Sequence, residues 1–155
     1  MPTQFATRPQ TRPEPIVAPE RHTVLIIDDD DSLSEVLSHR LKRQGFHTVA
    51  AYSGQSGLAK AKAQPPSAIV LDLGLPDVDG LTIGEQLADA PETCGVPILV
   101  LSGTEESGIV RRCRAAGCHY FLRKPYDPNA LLVLIRQAIG EAGDWHSGGC
   151  DPCEG

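Results

Sequence analysis

The chain has 155 residues, with 14 Lys+Arg against 20 Asp+Glu, a formal net charge of −6. That length suits one domain with short extensions, and the acidic balance argues against a grip on a phosphate backbone. Apolar runs of four or five residues, such as Val24–Ile27 and Leu131–Ile135, are too short to span a membrane, and five cysteines with no secretory stretch ahead of them suggest a reducing, cytoplasmic setting.

Residues 1–22 hold five prolines (Pro2, Pro9, Pro13, Pro15 and Pro19). Proline removes donors and disfavours helix, so this arm reads as a disordered or PPII-like leader. Val24–Ile27 is a β-branched apolar run and predicts a strand. Ser32–Gln44 carries Leu33, Val36, Leu37 and Leu41 at helical spacing, with Ser32 and Glu35 forming a capping box and Gly45 as the stop. Thr48–Ala51 is a weaker strand, Gly54–Ala63 a second helix ended by Pro65 and Pro66, and Ala68–Leu71 a third strand. A Gly/Pro/Asp loop runs from Asp72 to Gly80, ahead of a helix over Leu81–Ala88. Pro97–Leu101, Glu105–Ala116, Tyr120–Arg123 and Asn129–Ile139 complete the alternation as strand, helix, strand and helix. The expected division is a leader over 1–22, a folded domain over 23–142 and a flexible Gly/Cys tail over 143–155.

Short apolar strands alternating with helices call for a parallel sheet covered on both faces by right-handed crossovers. The predicted fold class is α/β, a doubly wound five-stranded sheet in a three-layer sandwich. In such a sheet ligands bind beyond the carboxyl ends of the strands. Asp28, Asp29, Asp30 and Asp31 follow the first strand, Asp72 the third, Ser102 and Gly103 the fourth, and Lys124 the fifth. Converging carboxylates raise each other's pKa unless a cation joins them. All-oxygen donors of this kind suit a hard ion such as Mg²⁺. A carboxylate can also attack phosphorus, and transfer then needs mainly positioning and charge neutralisation.

The segments VLIIDDDDSL, IVLDLGLPDVDG, VPILVLSG and YFLRKPY resemble, in order and separation, the four motifs of the response-regulator receiver family, and cover about 23–141. The resemblance implies the strand order 2-1-3-4-5 known from the chemotaxis receiver. It implies that Asp72 accepts a phosphoryl group from a histidine kinase or histidine phosphotransfer protein. Asp29 would bind Mg²⁺ directly and Asp28 through water, with the backbone carbonyl of Gly74 as a further ligand beside Asp72. Lys124 would pair with Asp72 and then with phosphoryl oxygens. Ser102 would swing inward beside small Gly103, Phe121 would report that movement by its rotamer, and the Lys124–Pro125 bond would be cis. The output would be a protein contact made by a monomer or a phosphorylation-dependent dimer, on the surface of the fourth helix, fifth strand and fifth helix. No nucleic acid or membrane contact is expected.

Each residue also has a plainer reading. Asp30 and Asp31 read as helix caps, Asp77 and Asp79 as turn and cap residues, and Cys94, Cys113 and Cys118 as ordinary small residues. His146, Cys150 and Cys153 have metal-like spacing but supply three ligands, so a thiol-bearing flexible end is the favoured reading. Two other functions stand beside the switch. A haloacid-dehalogenase-type phosphatase would show an acid two residues after its nucleophile, where this chain has Gly74. A receiver-shaped scaffold would not need Asp72, Lys124, Ser102 and the acidic pair intact.

Overall fold

Five strands and five helices alternate in the computed structural model, which describes residues 22–103 and 106–145. The Pro-rich arm up to residue 21, Glu105 and the His146, Cys150 and Cys153 cluster lie outside the described residues. The order is β1 (Thr23–Ile27), α1 (Asp31–Arg43), β2 (His47–Ala51), α2 (Gly54–Ala63), β3 (Ala68–Asp72), α3 (Gly80–Asp89), β4 (Ile98–Ser102), α4 (Ile109–Ala115), β5 (Tyr120–Arg123) and α5 (Pro128–Trp145). All pairings are parallel and the sheet order is β2-β1-β3-β4-β5, as the resemblance implied.

The period-2 geometry of a strand sends neighbouring side chains to opposite faces, and each face must be covered by helices. Val24, Ile26, Val70, Leu99 and Leu101 pack with Leu37 and Leu41 of α1 and with Leu131 and Ile135 of α5. Leu25, Ile27, Ile69, Leu71, Ile98 and Val100 pack with Ile83 and Leu87 of α3 and Cys113 of α4. Every residue of β3 and β4 is buried, which explains why those segments read as unbroken apolar runs rather than as alternations.

Local chemistry moved several boundaries. Helix α1 is capped by Asp30, whose side chain accepts the Leu33 N–H at 3.1 Å, and not by the Ser32–Glu35 box. Helix α4 starts at Ile109 rather than Glu105, because Gly108 takes a left-handed conformation (φ 80°) that no continuing helix can hold. Helix α5 runs through Gly140 to Trp145. Cys113 and Cys118 are free and buried as small core residues, whereas Cys94, on the half-exposed turn before β4, is disulfide-bonded and not the ordinary small residue expected.

Candidate functional site

Parallel pairing aligns the carboxyl ends of the strands, so residues distant in sequence meet at one edge. The Asp28 N–H donates to the Ala51 carbonyl at 3.0 Å, which fixes the residue just beyond β1. Asp72 closes β3 opposite Leu101, and the Lys124 N–H donates to the Ser102 carbonyl at 2.8 Å, tying the ends of β4 and β5 together. The Lys124–Pro125 peptide that follows is cis.

These backbone anchors bring Asp28, Asp72 and Lys124 together, with Ser102 at the neighbouring strand end. Asp28 is 4 % exposed, Asp72 6 % and Ser102 2 %. The Lys124 ammonium donates to Asp72 Oδ1 at 3.2 Å and lies 3.7 Å from Asp28 Oδ2. Asp29 stands exposed at the rim, and carboxylate oxygens of Asp28, Asp29 and Asp72 all lie within 4.8 Å of one another. Gly74 donates its N–H to Asp72 Oδ1 at 3.2 Å, and a Cβ there would stand 3.9 Å from both Asp72 oxygens, so this residue lies against the carboxylate. Beside Ser102, a Cβ on Gly103 would meet nothing nearer than Lys124 Cβ at 4.0 Å. Phe121 is half-buried at the edge of the core face covered by α3 and α4.

The electrostatics follow from this crowding. Burial pushes the Asp28 carboxyl up to about 6. The Asp30 N–H, donated to Asp28 Oδ1 at 3.0 Å, opposes the rise, nearby Asp72 adds to it, and Lys124 opposes it in turn. Burial works against the Lys124 charge, but Asp72 and Asp28 overcome that and hold the ammonium above its ordinary value. Burial, with the Asp28 carboxylate, likewise raises the Tyr126 phenol. Three carboxylates facing one ammonium leave an excess of negative charge, and the ligand atoms that the three offer are all carboxylate oxygens. That donor set fits a hard divalent cation, which would supply the missing positive charge.

Asp30 caps α1 and Asp79 caps α3, accepting the Leu81 N–H at 3.4 Å, so both keep their plain roles. Asp77 does not. Its two carboxylate oxygens accept the N–H groups of Gly54 and Gln55 at 2.9 and 3.1 Å, capping a helix more than twenty residues upstream. No local spacing signals that bond, because a loop aspartate looks the same whether it turns inward or reaches another element.

The molecule is a doubly wound α/β domain with a buried carboxylate at its switch point and an ammonium from beyond β5 against it. Residues 24–136 match the family model described as response regulator receiver domain. The chain belongs to that family, whose members serve two-component signalling. It is 34 % identical over 132 residues to the transcriptional regulatory protein CseB of Streptomyces coelicolor, covering 85 % of this chain and 54 % of that protein. The polar-differentiation response regulator DivK of Brucella ovis is 26 % identical over 120 residues, covering 77 % of this chain and 98 % of DivK. Among solved structures, the chemotaxis protein CheY4 of Vibrio cholerae superposes with a TM-score of 0.71 at 26 % identity, covering 76 % of this chain and 98 % of that one. The chain thus spans about half the length of CseB, and nearly all of DivK matches it.

Proposed function

We propose that this chain is a phosphorylation-driven switch in which Asp72 accepts a phosphoryl group from the phosphohistidine of a sensor kinase or phosphotransfer protein. One observation carries the reading: Asp72 is buried at the switch point with the Lys124 ammonium 3.2 Å away and two further carboxylates beside it. An Asp72 oxygen attacks phosphorus, the phosphorus–nitrogen bond breaks, and the donor imidazole leaves with the electron pair. Asp28, Asp29, Asp72 and the Gly74 carbonyl would hold Mg²⁺, which when bound neutralises charge on the phosphoryl oxygens. Lys124 remains beside Asp72 to pair with those oxygens, and Ser102, with open space at Gly103, turns inward to donate a hydrogen bond to them. Phe121 follows that movement at the core edge.

Phosphorylation adds close to two negative charges and strong acceptors to a site already tied to the ends of β3, β4 and β5, so it shifts the population toward the state that engages them. For transfer, the donor must dock beside Asp72. Exposed Leu33 and Val36 of α1, with Pro125, Tyr126 and Pro128, line an apolar groove of about 410 Å³ bordering Lys124, and we assign the donor contact to it. The output is contact with a downstream protein in the cytoplasm, through the face formed by α4, β5 and α5. Among the described residues no helix is long and apolar enough to cross a membrane.

The test is intact mass after incubation with Mg²⁺ and a small phosphodonor, repeated with a phosphorylated kinase. We expect one hydroxylamine-labile phosphoryl increment that needs Mg²⁺ and vanishes in Asp72→Asn. An unmodified wild-type chain with both donors would leave the scaffold reading standing.

A further inference from the structure

The β3–α3 loop carries two carboxylates that phosphoryl chemistry leaves unused, Asp79, which caps α3, and Asp77, which reaches another element. Asp77 is exposed, yet both its oxygens are engaged by Gly54 and Gln55, the first two amides of α2. That helix already has its own cap, since Ser53 Oγ accepts the Ser56 N–H at 3.1 Å, and it has no acidic residue in its first turn. Asp77 therefore satisfies two amides that Ser53 cannot reach and opposes the partial positive charge at that helix end. The two amide bonds hold the Asp77 carboxyl below the usual carboxylate range, so it stays ionised through neutral pH.

The loop is fastened at its other points too. At its start, the Leu73 N–H donates to the Leu101 carbonyl at 3.1 Å and the Gly74 N–H to Asp72 Oδ1. At its end, Gly80 lies so close that a Cβ would stand 2.6 Å from Leu73 Cα and 2.9 Å from the Asp72 carbonyl oxygen, so the loop closes back on its own origin. Its tip is held through Asp77. On the far side of that bond Gly54 is wedged against α3, where a Cβ would come within 2.8 Å of Ile83 Cγ1. The tip is thus anchored to a packed helix end and not to a mobile side chain.

We infer that Asp77 is a positioning residue for the cation site: by tying the loop tip to α2 it keeps Gly74 against the Asp72 carboxylate, where its carbonyl can complete the ligand set. The inference rests on the reading of Gly74 as a cation ligand. It separates Asp77 from an ordinary helix cap, because a cap that matters through α2 alone has a local equivalent in Ser53.

That equivalence supplies the experiment. The full chain and its Asp77→Ala, Asp77→Asn and Ser53→Ala variants are titrated with Mg²⁺ by calorimetry, and their thermal midpoints are measured in EDTA. Groups that orient metal ligands typically cost tenfold or more in affinity when removed, and a loop tie should lie at the lower end, about three- to tenfold for Asp77→Ala. Asp77→Asn, which keeps one acceptor for Gly54, should retain most of the affinity. Ser53→Ala should lower the midpoint as Asp77→Ala does and leave Mg²⁺ binding at the wild-type value. Unchanged affinity in Asp77→Ala overturns the inference, as does an equal loss in Ser53→Ala, which would make α2 stability the cause. Equal losses in Asp77→Ala and Asp77→Asn would make it bare charge. A wild-type chain that binds no Mg²⁺ overturns the site reading itself, and the inference with it.

Discussion

At the scale of single residues, the instructive group is Asp28, a carboxylate whose surroundings work against its charge. Its pKa, pushed from 3.8 to about 6, means the folded chain binds a proton that the unfolded chain has released over that interval. Asp28's own contribution to stability without metal therefore falls as pH rises from about 4 to about 6, by up to roughly 3 kcal/mol, and stays reduced above it. Asp28→Asn removes the repulsion while keeping the shape. Urea unfolding in EDTA should find the variant more stable than wild type by about 2 kcal/mol at pH 7, with the difference closing below pH 4. A variant less stable at pH 7 would mean that the 3.7 Å contact with Lys124 outweighs burial and the neighbouring Asp72. Lys124 itself shows why one cation is insufficient, since its ammonium is shared by two buried carboxylates.

At the scale of elements, two helical glycines with the same propensity have opposite roles. A Cβ on Gly57 of α2 would lie 2.5, 2.7 and 2.9 Å from three atoms of Ile27, a fully buried side chain of β1. On Gly140 of α5 it would meet nothing within 4 Å. Alanine gains about 1 kcal/mol of helix propensity at either site, but overpacking a core costs about 1–3 kcal/mol. Denaturant unfolding should show Gly57→Ala destabilised by about 1–2 kcal/mol and Gly140→Ala stabilised by up to about 1 kcal/mol. The contrast also marks what a sequence can tell. The strands were legible because β1, β3 and β4 are short apolar runs ended by Asp28, Asp72 and Ser102, and helix periodicity in Leu37 and Leu41 marked the buried stripe of α1. Where a competing local bond decided an end, spacing misled: Asp30 displaced Ser32 as the cap of α1, and Gly108 shortened α4. Helix α5 runs past its expected end at Ile139 to Trp145, with Leu131 and Ile135 packing it against the sheet. The cluster of Asp28, Asp72 and Lys124 was readable from strand ends alone, whereas the Asp77 bond to α2 depends on how two loops meet and leaves no periodic trace.

At the scale of the whole molecule, the site is a charge imbalance built into the edge of the sheet, and correcting it should register in global stability. Asp28 follows β1, Asp72 ends β3 and Lys124 follows β5, so a cation binding there draws on three strands that also carry both core faces. A ligand that binds the folded chain alone stabilises it by RT ln(1 + [L]/Kd), about 2.7 kcal/mol at one hundred times Kd. For a domain of this size that corresponds to an upward thermal shift of about 10 °C. Because a cation needs Asp28 ionised, binding competes with the proton at a group whose pKa is about 6. At pH 7.5 the Mg²⁺-induced shift should be near its full value. At pH 5, where roughly nine in ten Asp28 side chains would be protonated, affinity should fall about tenfold and the shift by about half. Differential scanning fluorimetry at fixed Mg²⁺ across that interval measures it directly, with Asp28→Asn as the reference whose shift should be smaller and flat between pH 5 and 7.5. A wild-type shift equally flat with pH would mean that Asp28 takes no part in holding the ion, and would leave Asp29 and Asp72 as its carboxylate ligands.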